Sequence, residues 1–274
     1  MASESSRSLD RLRHHYDVER ELAARLRRST KEERTRLFAT LYGELFQRVP
    51  DHPRLTRRDT PEDSRRKVAS QMRLLAPFLK PDSVLLEFAP GDCRLAAAAA
   101  GKVKKVIGVD ISDQRSASEA SPPNLELVVY DGYTLDVPTQ SVDICFSYQF
   151  LEHLHPDDIG PHFQMARRVL KPGGVYVYDT PHRYSGPHDI SVYFTDRLEC
   201  FHFQEWTHRE MRQLLKKYGF SSTWVFRFGK PQSSALVNGL VDTLELLLSP
   251  LPHKLRRKLC GRLFPSVGLV AVAD

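Results

Sequence analysis

The residues of this 274-residue chain best placed to do chemistry stand where short apolar runs end. Val84-Leu85-Leu86-Glu87-Phe88 runs into Ala89-Pro90-Gly91-Asp92-Cys93, a carboxylate followed by a glycine-containing turn. At the end of a strand such a turn lets a ligand approach the backbone closely. Asp110 closes the next apolar run, roughly 20 residues on, where a carboxylate accepts hydrogen bonds from both hydroxyls of a ribose. Asp131-Gly132 closes a third run, within reach of an adenine edge. A further group is the histidines His153, His155, His182 and His188, each able to move a proton; Asp189 follows His188 directly.

Positioning such residues takes strands alternating with helices. Strands are predicted over Val84–Phe88, Lys105–Ile111, Leu125–Tyr130, Val142–Ser147, Val175–Tyr178, Ser222–Phe228 and Val267–Val272. Helices are predicted over Arg94–Gly101, Pro156–Leu170 and Thr207–Tyr218. Alternation of this kind implies βαβ units and a parallel sheet, and continuous apolar strands imply burial on both faces. The first 80 residues show no strand pattern. They read as three helices: Val18–Arg28, a second from Ser29 or Thr30 to Gln47 opened by the capping box Thr30-x-x-Glu33, and Pro61–Leu79. Residues 231–265 read as a helical insertion with Leu236, Leu240, Leu244 and Leu248 four apart. The organisation expected is a helical extension over 1–80 and an α/β domain over 81–274.

Composition narrows the classes. Hydrophobic residues make up 41% and charged residues 27%, ordinary for a globular protein. No apolar run is long enough to span a bilayer, and Met1–Asp10 lacks an apolar signal core. Cys93, Cys145, Cys200 and Cys260 form no CxxC pair and no zinc spacing with histidine. They are therefore expected as buried thiols in a cytoplasmic protein without a metal. The formal net charge of +6 is concentrated in the first 80 residues, which carry +7. That charge fits an anionic partner or, since acidic residues are interleaved throughout, a solvated helical face.

The stretch Asp82–Phe228 with the final strand resembles class I S-adenosylmethionine-dependent methyltransferases. The resemblance rests on Val84–Cys93, Asp110, Asp131-Gly132, Ser141–Ser147, Phe150-Leu151-Glu152-His153-Leu154 and Arg168-Val169-Leu170-Lys171-Pro172-Gly173-Gly174. It implies a Rossmann-like seven-stranded sheet of order 3-2-1-4-5-7-6 with the last strand antiparallel. It also implies S-adenosylmethionine as cofactor, held by Glu87, Ala89, Pro90, Gly91, Asp110, Ile111, Asp131, Gly132 and Gln149. Ala89 and Cys93 stand where the commonest pattern has glycine. His153, His182 and His188 are the candidate catalytic residues, His153 more as a positioning group. Ser147-Tyr148-Gln149-Phe150 differs from the Asn/Asp-Pro-Pro-aromatic motif of enzymes that methylate exocyclic amines. Ser185–Phe194 resembles a segment of bacterial members. These features point to methyl transfer to a small molecule or glycan, at oxygen. The alternatives are an RNA methyltransferase gripping phosphates with the basic helices and a non-catalytic scaffold on the same fold. The insertion, basic in its second half, offers a membrane-surface contact through 235–262.

Overall fold

The computed structural model describes residues 7–56, 60–116, 120–227 and 229–274. Its centre is one sheet of order β3-β2-β1-β4-β5-β8-β6-β7. The parallel half comprises β1 (Val84–Phe88), β2 (Lys105–Asp110), β3 (Leu125–Val129), β4 (Val142–Tyr148) and β5 (Leu170–Pro181). The strand β8 (Ser266–Ala273) runs antiparallel between β5 and β6 (Phe220–Arg227). The core order is the one the resemblance implies, with one addition. Chain reversal at Gly229 (φ +72°) lays β7 (Lys230–Gln232) back along β6, making eight strands rather than seven. Phe228, the predicted end of the sixth strand, lies outside the described residues, as do Met1–Ser6.

Apolar side chains leave both faces of the sheet. On one face Leu85, Val106, Ile144, Phe146 and Val177 pack against α4 (Pro61–Leu75) and α5 (Arg94–Ala100). On the other, Leu86, Phe88, Tyr176 and Tyr178 pack against α6 (Ile159–Val169), α7 (His208–Lys217) and α8 (Ala235–Leu248). The helix α4 stops at Leu75, short of the predicted Leu79. β5 starts at Leu170, five residues before the predicted strand, because Lys171-Pro172-Gly173-Gly174 joins the ladder across an irregularity opposite β4. Gly174 is required there: a Cβ would sit 2.9 Å from the Lys171 carbonyl oxygen.

The N-terminal helices α1 (Leu9–Arg27) and α2 (Lys31–Arg48) form their own apolar seam of Leu22, Leu26, Leu41 and Leu45, closed by Phe201 and Phe203. Thr30 and Glu33 make the capping box that starts α2. Burying each leucine there stabilises the fold by ~1.5–3 kcal/mol. A short helix α3 (Pro53–Thr56) follows.

The insertion folds as α8 and α9 (His253–Leu263). Its four spaced leucines divide between solvent and core, Leu244 packing against the core. Leu236 and Leu240 are exposed, and the buried residues of α8 are Val241, Glu245 and Leu248. Glu245, on the buried side, bonds His182 and His208 (2.9 and 2.7 Å). All four cysteines are free and buried. Among the described residues no helix is long and apolar enough to cross a membrane.

Candidate active site

The carboxyl ends of β1, β2, β4 and β5 open on one edge of the sheet, and most of the candidate residues gather there. After β1 the backbone enters the left-handed region at Ala89 (φ +53°), Gly91 (φ +55°) and Cys93 (φ +60°). Two of these three positions carry a side chain, so the turn holds strain that glycine would avoid. The turn is fixed from β2: the Gly91 N–H donates to Asp110 Oδ2 (3.1 Å), and the Ser112 N–H donates to Oδ1 (3.3 Å). Burial raises the Asp110 carboxyl, while these backbone N–H groups pull it the other way. Ile111, next to it, is exposed.

Glu87 lies beneath this turn, 6% exposed. Its Oε2 is buried without a hydrogen-bond partner. Burial, with Asp92 and Asp110 adding, pushes the carboxyl up to about 8. A buried acceptor without a donor is costly unless a ligand supplies one. The amino group and hydroxyls of S-adenosylmethionine are donors of that kind, so Glu87 and Asp110 fit the cofactor.

Asp131 and Gly132 (φ +88°) begin the turn after β3. Asp131 Oδ1 accepts from the N–H groups of Tyr133 (2.8 Å) and Thr134 (2.6 Å). Partial burial opposes ionisation, but these bonds hold the carboxyl below its usual value. The Tyr133 hydroxyl donates to Asp158 Oδ2 (2.9 Å), and Asp158 is paired with Arg34 of α2 (2.7 Å), both buried. Gln149 (φ +51°), after β4, donates from its side-chain nitrogen to Asp179 Oδ1 (2.7 Å) at the end of β5.

Beyond Gln149 the edge becomes rich in histidine and carboxylate. Glu152 is fully buried; its Oε2 accepts from Thr180 Oγ1 (2.9 Å), and its Oε1 has no partner. Burial pushes it up to about 7. His153 Nδ1 donates to the Phe201 carbonyl (3.0 Å), and burial, with His202 beside it, pushes the ring down to about 3. His202 Nδ1 donates to Glu205 Oε1 (2.9 Å); burial opposes protonation, yet the Glu205 bond raises this ring. Glu205 Oε2 pairs with His188 Nδ1 (3.1 Å). Asp189 is not the partner of His188. Its carboxylate takes the N–H groups of Ser191 (3.0 Å) and His202 (3.2 Å). His188 remains partly exposed, its side chain at 24%.

His182 is placed differently from the other candidates. Its ring is wholly buried between Glu245, Cys260 and Phe264, with Nε2 on Glu245 and Nδ1 facing the Tyr184 N–H (3.1 Å) and Cys260 Sγ (3.1 Å). It therefore ties β5 to the insertion and turns no open nitrogen toward the cleft. His155, named with the histidines, accepts the Asp157 N–H and faces the Arg27 carbonyl.

Sequence reasoning left out Glu152 as a chemical group, Glu205 and His202. It also gave no sign of α3, whose Arg54 lies near enough to act electrostatically on both Asp110 and His153.

Residues 86–178 match the model of a methyltransferase domain family. Over 137 residues the chain is 31% identical to a Mycolicibacterium smegmatis protein described as "Probable S-adenosylmethionine-dependent methyltransferase". That match takes in 50% of this chain and 51% of the relative, so the chain spans about half the length of the curated relative it matches. Among solved structures, a Burkholderia thailandensis 1,6-didemethyltoxoflavin-N1-methyltransferase holding S-adenosylhomocysteine superposes with a TM-score of 0.54. It is 16% identical, with 90% of this chain and 92% of that one covered. A chain from the complex of the Haloferax volcanii Trm112 methyltransferase activator with a methyltransferase gives the same score at 16% identity, covering 78% and 95%. With the sheet order, these findings align residues 86–178 with a methyltransferase domain family and the fold with that of the solved methyltransferases.

Proposed function

We propose that the chain transfers a methyl group from S-adenosylmethionine to an oxygen of a small-molecule or glycan acceptor. The observation that carries the reading is the pair of buried carboxyls, Glu87 and Asp110, on either side of the Ala89–Cys93 turn, one with an unpartnered oxygen. Asp110 would take the ribose hydroxyls, Glu87 a donor at the amino-acid end, and Ile111 with Asp131-Gly132 the adenine. When bound, the cofactor supplies a methyl group already activated by the sulfonium charge, so the protein's task is alignment and exclusion of water. The lining near Gln149 fits that task. Phe150 stacks on Phe88 (ring centroids 6.4 Å apart), and Gln149 is locked on Asp179.

Methylation at oxygen calls for a base that takes the hydroxyl proton. His188 suits it: the Glu205 carboxylate fixes Nδ1 as the donor nitrogen, leaving Nε2 to accept, 3.3 Å from the Ser185 hydroxyl. The RNA reading draws less support. Arg7, Arg25, Arg34 and Arg48 of the basic N-terminal region are paired with Asp51, Glu44, Asp158 and Glu21, so these four guanidiniums are already engaged within the protein. The exposed Leu236 and Leu240 leave a contact of the insertion with a membrane surface as a further expectation.

Calorimetric titration of S-adenosylmethionine and S-adenosylhomocysteine into wild type and Asp110→Ala tests the cofactor. Binding is expected in wild type and a loss of ~10-fold to 100-fold in the variant, from about 1.5–3 kcal/mol of charge-assisted hydrogen bonding. No binding by folded wild type would overturn the reading. Transfer only to protein or RNA in an acceptor screen would overturn the acceptor class.

A further inference from the structure

We infer that Glu152, His153 and His202 form a binding site for one divalent transition-metal ion at the acceptor end of the cleft. One donor atom from each of the three lies within 4.8 Å of the others. Ligands bonded at ~2.0–2.2 Å to one tetrahedral ion stand about 3.4 Å apart, so closure onto an ion needs the widest-spaced atoms to approach by up to about 1.4 Å.

What separates this cluster from the chain's other histidine groups is the state of its donor atoms. Both rings use Nδ1 for an outer hydrogen bond, His153 to the Phe201 carbonyl and His202 to Glu205. That leaves Nε2 of each ring as the nitrogen available to a ligand. It is the arrangement in which a ligating histidine donates its other nitrogen to a carbonyl or carboxylate behind it. Glu152 is oriented the same way: Thr180 donates to Oε2, and Oε1 is buried without a partner. One ligand atom of each residue thus lies within 4.8 Å of the other two, and Glu152 Oε1 is buried there without a partner, a cost that a cation relieves.

The other two groups are complete without an ion. Glu245 accepts from His182, His208 and the N–H groups of His208 and Arg209. Glu19 is bonded to His15 and the Phe201 N–H, and the Arg7 guanidinium lies 2.9 Å from the other His15 nitrogen.

The ligands are held from several sides. Glu152 and His153 belong to the 3₁₀ turn after β4. His202 is delivered by a segment pinned through the Phe203 N–H to the Glu152 carbonyl (2.8 Å) and the His202 N–H to Asp189. The expectation of no metal considered spacing along the sequence, where His202 stands far from its partners. Two imidazoles and one carboxylate suit zinc or iron-group ions and leave positions open for an acceptor oxygen. An acceptor hydroxyl bound there would lose its proton more readily, with His188 behind Glu205 to receive it. This last role rests on the methyltransferase reading; the site itself does not.

The test is titration of the chelator-treated full chain with Zn2+ and, separately, Co2+, reading stoichiometry and affinity by calorimetry and the cobalt ligand-field absorption. One ion per chain is expected. Affinity should fall at least ~100-fold in His202→Gln and in Glu152→Gln, ~10–100-fold in Glu205→Gln, and not at all in His208→Asn. Circular dichroism of the metal-free variants identifies those that fold, and His153→Asn replaces any that does not. Failure of wild type to bind either ion tighter than millimolar would overturn the inference, as would unchanged affinity in the folded ligand variants. S-adenosylhomocysteine binding, measured in the same samples without metal, separates the two readings. Its loss with metal binding intact would refute the cofactor assignment alone.

Discussion

Replacing Glu87 by glutamine should make the ligand-free protein more stable in mildly alkaline solution while weakening its hold on the cofactor. The carboxyl titrates at about 8 in the folded chain against 4.5 when exposed, through burial first and then Asp92 and Asp110. Between those values folding takes up a proton that the unfolded chain has already released. The contribution of this group is therefore fully present below about pH 4.5 and is lost as pH rises toward 8. Each pH unit across the window removes ~1.4 kcal/mol, and the whole window ~4–5 kcal/mol at most. Water entering the open cleft shares the charge, so about 2–3 kcal/mol is the working figure. Glutamine keeps the shape and does not titrate. Urea unfolding of wild type and Glu87→Gln at pH 5, 6, 7 and 8 measures it: the variant should gain ~2 kcal/mol relative to wild type between pH 5 and pH 8. Calorimetry on the same pair should show weaker S-adenosylmethionine binding by the variant. Stability curves that run parallel across this range would refute the argument that Glu87 is buried as an unpaired acid.

The remaining predictions concern the acceptor side and the insertion. His188→Gln should leave S-adenosylhomocysteine binding unchanged and lower turnover on an oxygen acceptor by ~10²–10⁴-fold; equal losses in both would assign His188 to folding. Glu245→Gln should destabilise the fold by about 3 kcal/mol at neutral pH, since two buried histidines and the start of α7 depend on its charge. Despite burial, His182 and His208 hold the Glu245 carboxyl well below its usual value, so its contribution is present above about pH 4.5 and lost as pH falls. Thermal unfolding at neutral and acidic pH should show the gap between wild type and variant narrowing in acid.

The parallel half of the sheet was legible because each strand is a short apolar run closed by an acid or a turn, and because both faces are covered. Asp110 and Glu87 stood out for the same reason: a carboxylate at the end of an apolar strand has few reasons to be there. His202 gave no such signal, since Phe201-His202-Phe203 reads as an ordinary apolar stretch. The docking of Phe201 and Phe203 on α1 and α2, with the Phe203 N–H on the Glu152 carbonyl, brings it to His153. The buried face of α8 is not legible in its leucine spacing: Leu244 and Leu248 pack on the core while Leu236 and Leu240 are exposed, and Glu245 lies on the buried side with His182 and His208. A strand as short as Lys230–Gln232 has too few residues to show alternation.

The Arg34–Asp158 pair and the Glu19–Phe201 bond join the two N-terminal helices to both ends of the cleft. One tie reaches the loop after β3 through Tyr133, and the other reaches the segment carrying His202. An attempt to trim the protein to a minimal sheet would therefore strip a buried aspartate and a buried amide of their partners at once. A graft of this extension onto a related sheet would carry with it the spacing between the loop after β3 and the segment carrying His202, so the unit of exchange in engineering is the extension together with both loops.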